Sequence, residues 1–139
     1  MATISDLILD THIIIWLAID PDKIALPMLE AIEKAGKRIV SHVTVLEIQL
    51  KHLKGPEEFP FSLEHLAKAA KEFSCSELAI SYQDIKKLGE MRFLHADPFD
   101  RLLMAQAANR DLILATADSS ILTTSKRHKE FRVIEGKSS

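Results

Sequence analysis

Along this chain, short unbroken apolar runs alternate with longer segments whose apolar residues recur every three or four positions. The first pattern predicts buried strands, the second amphipathic helices. Leu7-Ile8-Leu9 reads as a strand that ends at Asp10, and Ile13 to Leu17 continues as an apolar helix. Asp20-Pro21-Asp22-Lys23 is a turn, and Pro27 to Ala35 is a helix ended by Gly36. Ile39-Val40 is a short strand ending at Ser41, and the next helix opens between Ser41 and Thr44, with Val43, Leu46, Leu50 and Leu53 as its apolar stripe and Glu47 at the stripe's edge. Gly55 to Pro60 is a loop. Ser62 to Phe73 is a helix with Leu63, Leu66, Ala70 and Phe73 inward and Lys68 and Lys71 outward. Leu78-Ala79-Ile80 is a third strand, and Ser81 caps a helix that holds Ile85 and Leu88 inward and stops near Gly89. Asp97-Pro98 opens a helix carrying Phe99, Leu102, Leu103, Met104 and Ala107, which runs out at Asn109-Arg110-Asp111. Leu112 to Ala115 is a strand with Asp118 just past its end, and Phe131 to Ile134 is the last strand.

Strands that alternate with helices predict an α/β domain: a central, mostly parallel sheet of four to five short strands with helices on both faces. The 139 residues are expected to form one domain, with a polar tail from about Glu135. Composition changes this picture little. A hydrophobic content of 47% and a charged content of 27% are those of an ordinary water-soluble domain. Four glycines disfavour glycine-rich phosphate loops. The single cysteine, Cys75, rules out an internal disulfide and a thiolate zinc cluster, which suits a reducing, cytoplasmic setting. The apolar stretch from Leu7 to Ile19 is broken by Asp10 and His12, lacks a basic leader and is too short to span a bilayer, so neither a signal peptide nor a membrane segment is expected. The net charge of −2 is not the strongly basic balance of a typical nucleic-acid binder, so any such role must rest on local features.

Those local features are acids at the ends of elements. Asp10 ends the first strand, Glu47 lies in the helix after the second, Asp100 sits in the first turn of the Asp97-Pro98 helix, and Asp118 ends the fourth strand. In open α/β sheets, ligands collect at the carboxyl ends of strands. Four carboxylates gathered there would repel one another unless a cation joined them, and hard oxygen ligands suit Mg²⁺ or Mn²⁺. Each acid also has a structural reading. Asp10 and Asp97 can cap the helices behind them, Asp100 can complement a helix dipole, and Asp118 can cap the turn Ser119-Ser120-Ile121-Leu122. Glu47 can pair with Lys51 one turn on.

Taken together, Leu9-Asp10-Thr11-His12 followed by Trp16, then Ser41 to Lys51 with Glu47, then His95-x-Asp97-Pro98-Phe99-Asp100-Arg101-Leu102-Leu103-x-Ala105-Gln106-Ala107, then Thr116-Ala117-Asp118, resemble a PIN-domain protein, and more narrowly the VapC-type toxins of toxin–antitoxin pairs. The resemblance implies a single PIN-like domain acting as a metal-dependent endoribonuclease. It further implies a homodimer held inactive by a small cognate antitoxin. Asp10, Glu47, Asp100 and Asp118 match the family's acidic positions, which implies that they bind Mg²⁺ or Mn²⁺ and carry catalysis. Asp97 is an auxiliary candidate, and Thr11 and Thr116 match positions that orient ligands or water. Ile121 departs from the aromatic residue many relatives have there, which concerns local packing. Lys51, Lys54, Arg101 and Lys126-Arg127 are candidate contacts to an RNA backbone, by proximity in sequence alone. No aromatic stacking platform for bases is visible, with only 6% Phe, Trp and Tyr. The competing readings are a non-catalytic PIN-like binding module and an acid-cluster phosphatase with Asp10 as nucleophile. The phosphatase is disfavoured because His12 stands where a second Asp is wanted.

Overall fold

The computed structural model describes residues 5–91, 97–122 and 132–135. In chain order the elements are β1 (Leu7–Leu9), α1 (Thr11–Ile19), a 3₁₀ turn (Pro21–Lys23), α2 (Leu26–Lys34), β2 (Arg38–Ser41), α3 (His42–Lys54), α4 (Leu63–Glu72), β3 (Cys75–Leu78), α5 (Tyr82–Glu90), α6 (Pro98–Arg110), β4 (Ile113–Thr116) and β5 (Arg132–Glu135). Residues 119–122 form a further helical turn. The five strands make one sheet in the order β3-β2-β1-β4-β5, and every neighbouring pair is parallel. The expected α/β architecture is therefore present.

The sheet alternates as its pleat requires. Leu7, Leu9, Val40 and Ala115 face one way, onto Ile13, Ile14, Met28, Ile48 and Leu66 of α1 to α4. Ile8, Ile39 and Leu114 face the other way, onto Leu103, Met104 and Ala107 of α6 together with Val43, Met91 and Ile121. Ile121 is fully buried in this second layer, so the aliphatic side chain fills its place.

Three expectations are corrected. The third strand is Cys75–Leu78, three residues earlier than the apolar run Leu78-Ala79-Ile80. It lies at the sheet edge with Ser76 and Glu77 exposed, so little apolar signal marks it. In α3 the buried residues are Val43, Thr44, Glu47 and Ile48, whereas Leu46, Leu50 and Leu53 are 47%, 49% and 65% exposed. The helix turns a face containing two polar residues inward because those residues find hydrogen-bond partners there. In α5, Ile85 is exposed and Asp84 is the buried residue.

Strand order places the ligand edge. From β1 the chain winds outward through β2 to β3, then returns to add β4 and β5 on the other side of β1. The direction of winding thus reverses between β1 and β4. In such sheets a crevice opens at the carboxyl ends of the two strands where the reversal occurs. Leu9 is in register with Ala115, so the residues that leave these strands, Asp10 and Thr116 onward, meet at that crevice.

Candidate active site at the carboxyl edge of the sheet

Asp10 is both a cap and a focus of the site. It is the N-cap of α1, and its Oδ1 accepts from the Thr11 backbone N–H at 2.6 Å. Its Oδ2 accepts from the Thr116 hydroxyl at 2.6 Å, across the β1–β4 switch point. The same Thr116 oxygen accepts from the Asp118 backbone N–H at 3.0 Å. One hydroxyl thereby ties the two strand-end acids together. Asp10 is 3% exposed. Burial raises its pKa above the ordinary carboxylate value, against the opposing pull of the Thr116 hydrogen bond, His12 and the Thr11 N–H.

Glu47 enters from α3, on the inward face with Thr44. The Thr11 hydroxyl donates to its Oε1 at 2.6 Å, and Lys51 Nζ lies 2.7 Å from its Oε2. Because the Thr11 proton is committed to Glu47, Thr44, whose Oγ1 is 3.1 Å away, serves as donor to the Thr11 oxygen. The expected Glu47–Lys51 pair does form, but Glu47 is buried, not exposed.

Asp97 is the N-cap of α6, with its Oδ1 accepting from the Phe99 and Asp100 backbone N–H groups at 2.8 and 3.1 Å. Its cap geometry sets the turn from which Asp100 projects. Asp118 caps the 119–122 turn, its Oδ1 accepting from the Ile121 N–H at 2.9 Å. Asp100 is half-buried, and its pKa is pushed up to about 8. Burial is the largest cause, followed in order by the fields of Asp10, Asp97, Asp118 and Glu47. The four acids singled out from sequence thus act on one another across one sheet edge. At neutral pH Asp100 keeps its proton, which lowers the charge the cluster must bear. A divalent cation would lower it in the same way and compete with that proton. The all-oxygen donor set suits Mg²⁺ or Mn²⁺ chemically. In this conformation no three of the described residues converge closely enough to hold an ion.

The PIN domain family model matches residues 7–126. The chain belongs to the PIN domain family. No match to a curated protein sequence was found. Among solved structures, this PIN domain is similar to VapBC2 from Rickettsia felis, crystallised with a DNA fragment from its promoter, with a TM-score of 0.68 and 18% identity over 95% of this chain and 99% of that one. It is similar to VapBC-1 from nontypeable Haemophilus influenzae, with a TM-score of 0.69 and 16% identity over 94% and 97% of the two chains. It also resembles VapBC-5 from Mycobacterium tuberculosis, a member of the VapBC family of toxin–antitoxin systems, with a TM-score of 0.65 and 16% identity over 94% and 98%. At these identities the likeness is one of fold.

Around the acids of this PIN domain, the candidate cations differ in what they do. Lys51 is engaged with Glu47. Arg101 is half-buried, and its Nε is buried without a hydrogen-bond partner among the described residues. Lys54 lines a shallow groove with Gly55, Glu58 and Phe59. Lys126 and Arg127, like His95 and Ala96 of the motif, lie outside the described residues.

Sequence reasoning passed over two groups. Thr44 lies three residues before Glu47, on the same helical face, and that Thr-x-x-Glu spacing was the signal available for it. The second group is a buried network beneath α6. Gln106 Nε2 donates to Asp84 Oδ2 at 3.1 Å, Gln106 Oε1 accepts from the Ser41 hydroxyl, and Arg110 forks onto both oxygens of Asp84 at 2.6 and 3.1 Å. It joins α5 and α6 to Ser41, the cap of α3, and so ties the helix bearing Asp100 to the helix bearing Glu47.

Proposed function

We propose that this PIN domain is a metal-dependent endoribonuclease of the VapC type, the toxin of a toxin–antitoxin pair. The observation that carries the reading is the gathering of Asp10, Glu47, Asp100 and Asp118 from four separate elements to the switch-point edge of a PIN fold. VapBC proteins are prominent among its structural neighbours, which supports the toxin assignment.

Asp10 and Asp100 would hold Mg²⁺ or Mn²⁺, with Glu47 and Asp118 completing the set. Such an ion, when bound, lowers the pKa of a coordinated water and stabilises charge on the phosphodiester. The chain's own residues do the positioning. Thr116 orients Asp10 and the Asp118 backbone, while Thr11 and Lys51 fix the two oxygens of Glu47. A carboxylate held this way is suited to take a proton from water in line with the scissile phosphate. Asp97 supports Asp100 through the helix start. Thr11 and Thr116 act as positioning residues.

The antitoxin and a second copy of the chain are the proposed partners, in a cytoplasmic setting. No described helix is long and apolar enough to cross a membrane. The outward leucines of α3 leave apolar surface on which a partner could act.

The test is cleavage of a labelled mixture of structured RNAs by purified protein with Mg²⁺, with Mn²⁺ and with EDTA, beside Asp100→Asn. We expect cleavage with metal only, reduced at least about a hundredfold in the variant. Equal cleavage by the variant would show that the site is elsewhere. Folded, antitoxin-free protein that binds no Mn²⁺ by calorimetry and cleaves nothing would favour the non-catalytic binding module.

A further inference from the structure

Beside the acidic edge lies a cleft of about 340 Å³ walled by His12, Trp16, Ala117, Asp118 and Ser119. Its size is within the range of small-ligand sites. His12 and Trp16 are one turn apart on α1, immediately after Asp10, and so project from the same face of that helix. Their ring centroids are 6.0 Å apart and inclined at 49°, too far and too tilted to stack face to face. His12 is exposed, and Trp16 rests one side on the core while lining the cleft with another. Lys23 Nζ stands 5.9 Å from the Trp16 ring centroid, a cation beside that ring. The opposite wall begins at Asp118, one of the acids of the proposed cleavage site.

We propose that this cleft is a nucleotide subsite, where an unpaired base of the RNA strand stacks on the His12–Trp16 wall next to the phosphodiester to be cut. The proposal rests on the nuclease reading above and names what its site would grip. Ring faces with a neighbouring cation are what a base and its phosphate require, and stacking tolerates any base. The other aromatic depression, formed by Ile15, Ile19, Phe59, Pro60, Phe61 and His65, is almost wholly apolar and is lined by none of the four acids. Sequence alone displays no such surface, since the histidine escapes an aromatic count and the two rings come together only when α1 folds. Duplexed bases have no exposed face, so cleavage should fall in loops and single strands.

Trp16 is the only tryptophan, so its emission reports directly on the cleft. In Asp100→Asn protein with Mg²⁺, tetraribonucleotides of each base are titrated against an abasic tetramer with the same ribose-phosphate chain. Base-bearing tetramers should quench Trp16 and bind at least about fivefold tighter than the abasic one. By fluorescence anisotropy of labelled tetramers, His12→Ala and Trp16→Leu, each added to Asp100→Asn, should shrink that difference, while Trp16→Phe keeps most of it. The Phe and His12 variants keep the test decisive if Trp16→Leu fails to fold. Equal affinity for abasic and base-bearing tetramers, or a difference that none of these variants moves, overturns the subsite, even if wild-type protein cleaves RNA. Base-selective binding by a protein that cleaves no RNA upholds the subsite and removes the nuclease reading instead.

Discussion

Two aspartates on neighbouring helices are handled in opposite ways. Asp84, in the first turn of α5, is fully buried, yet its carboxyl is held well below the usual range. Burial alone pushes it up, but Arg110, the Ser81 N–H, Asn109 and Gln106 together overcome that. Asp100, in the first turn of α6, is pushed up to about 8, first by burial and then by the fields of Asp10, Asp97, Asp118 and Glu47. A fold that ionises a buried carboxylate surrounds it with donors. A fold that gathers carboxylates at one edge concentrates negative charge that a cation from elsewhere would offset. The contrast separates an acid held by its donors from one set among other acids, and it makes Asp100 the better candidate for chemistry.

The largest effect should come from breaking the satisfied member. Asp84→Ala leaves Arg110, Asn109 and Gln106 facing a buried void without their acceptor. Removing one partner of a buried ion pair costs about 3–5 kcal/mol. Urea denaturation should show a loss of that size, with Tm lower by about 10 °C or more. A loss under about 1 kcal/mol would mean that the network does not order α5 against α6, and the comparison would lose its structural half.

Asp100→Asn should behave in the opposite sense, and pH separates the two. For Asp84 the folded pKa is depressed, so its contribution is present above the ordinary value of 3.8 and lost as pH falls below it. For Asp100 the folded pKa is raised. Between 3.8 and about 8 the unfolded chain has released a proton that the folded chain retains, so stability is greatest below 3.8 and declines as pH rises through about 8. In metal-free protein, stability measured from about pH 4 to pH 8 should fall for wild type relative to Asp100→Asn, cancelling titrations common to both. Parallel curves would show that the four acids do not act on Asp100.

The candidate site was more legible in the sequence than the packing around it. Asp10, Asp97, Asp100 and Asp118 all stand at element ends marked by abrupt changes from apolar to polar, and strands β1, β2 and β4 are short apolar runs between such marks. α3 misled because polarity was taken as outward: Thr44 and Glu47 are buried by bonds to Thr11, a residue 33 and 36 positions away. No local window contains that pairing. Asp84 and Arg110, 26 positions apart, are hidden for the same reason. The edge strand β3 is hidden by its exposure, which leaves half its residues polar.

The smallest effect tests the residue between the two classes. Asp97 is exposed, its Oδ1 already accepts two backbone N–H groups, and it contributes to raising Asp100. If capping is its role, Asp97→Ala should cost about 1 kcal/mol of stability and Asp97→Ser should recover most of it, since a serine hydroxyl caps nearly as well. Both variants also remove a negative charge from beside Asp100, so each should weaken the pH dependence described above. RNA cleavage then discriminates. A cap restored by Ser should restore turnover to within a few-fold of wild type. A carboxylate needed for metal binding would leave Asp97→Ser stable but as impaired as Asp97→Ala, and Asp97 would move from the structural acids to the chemical ones.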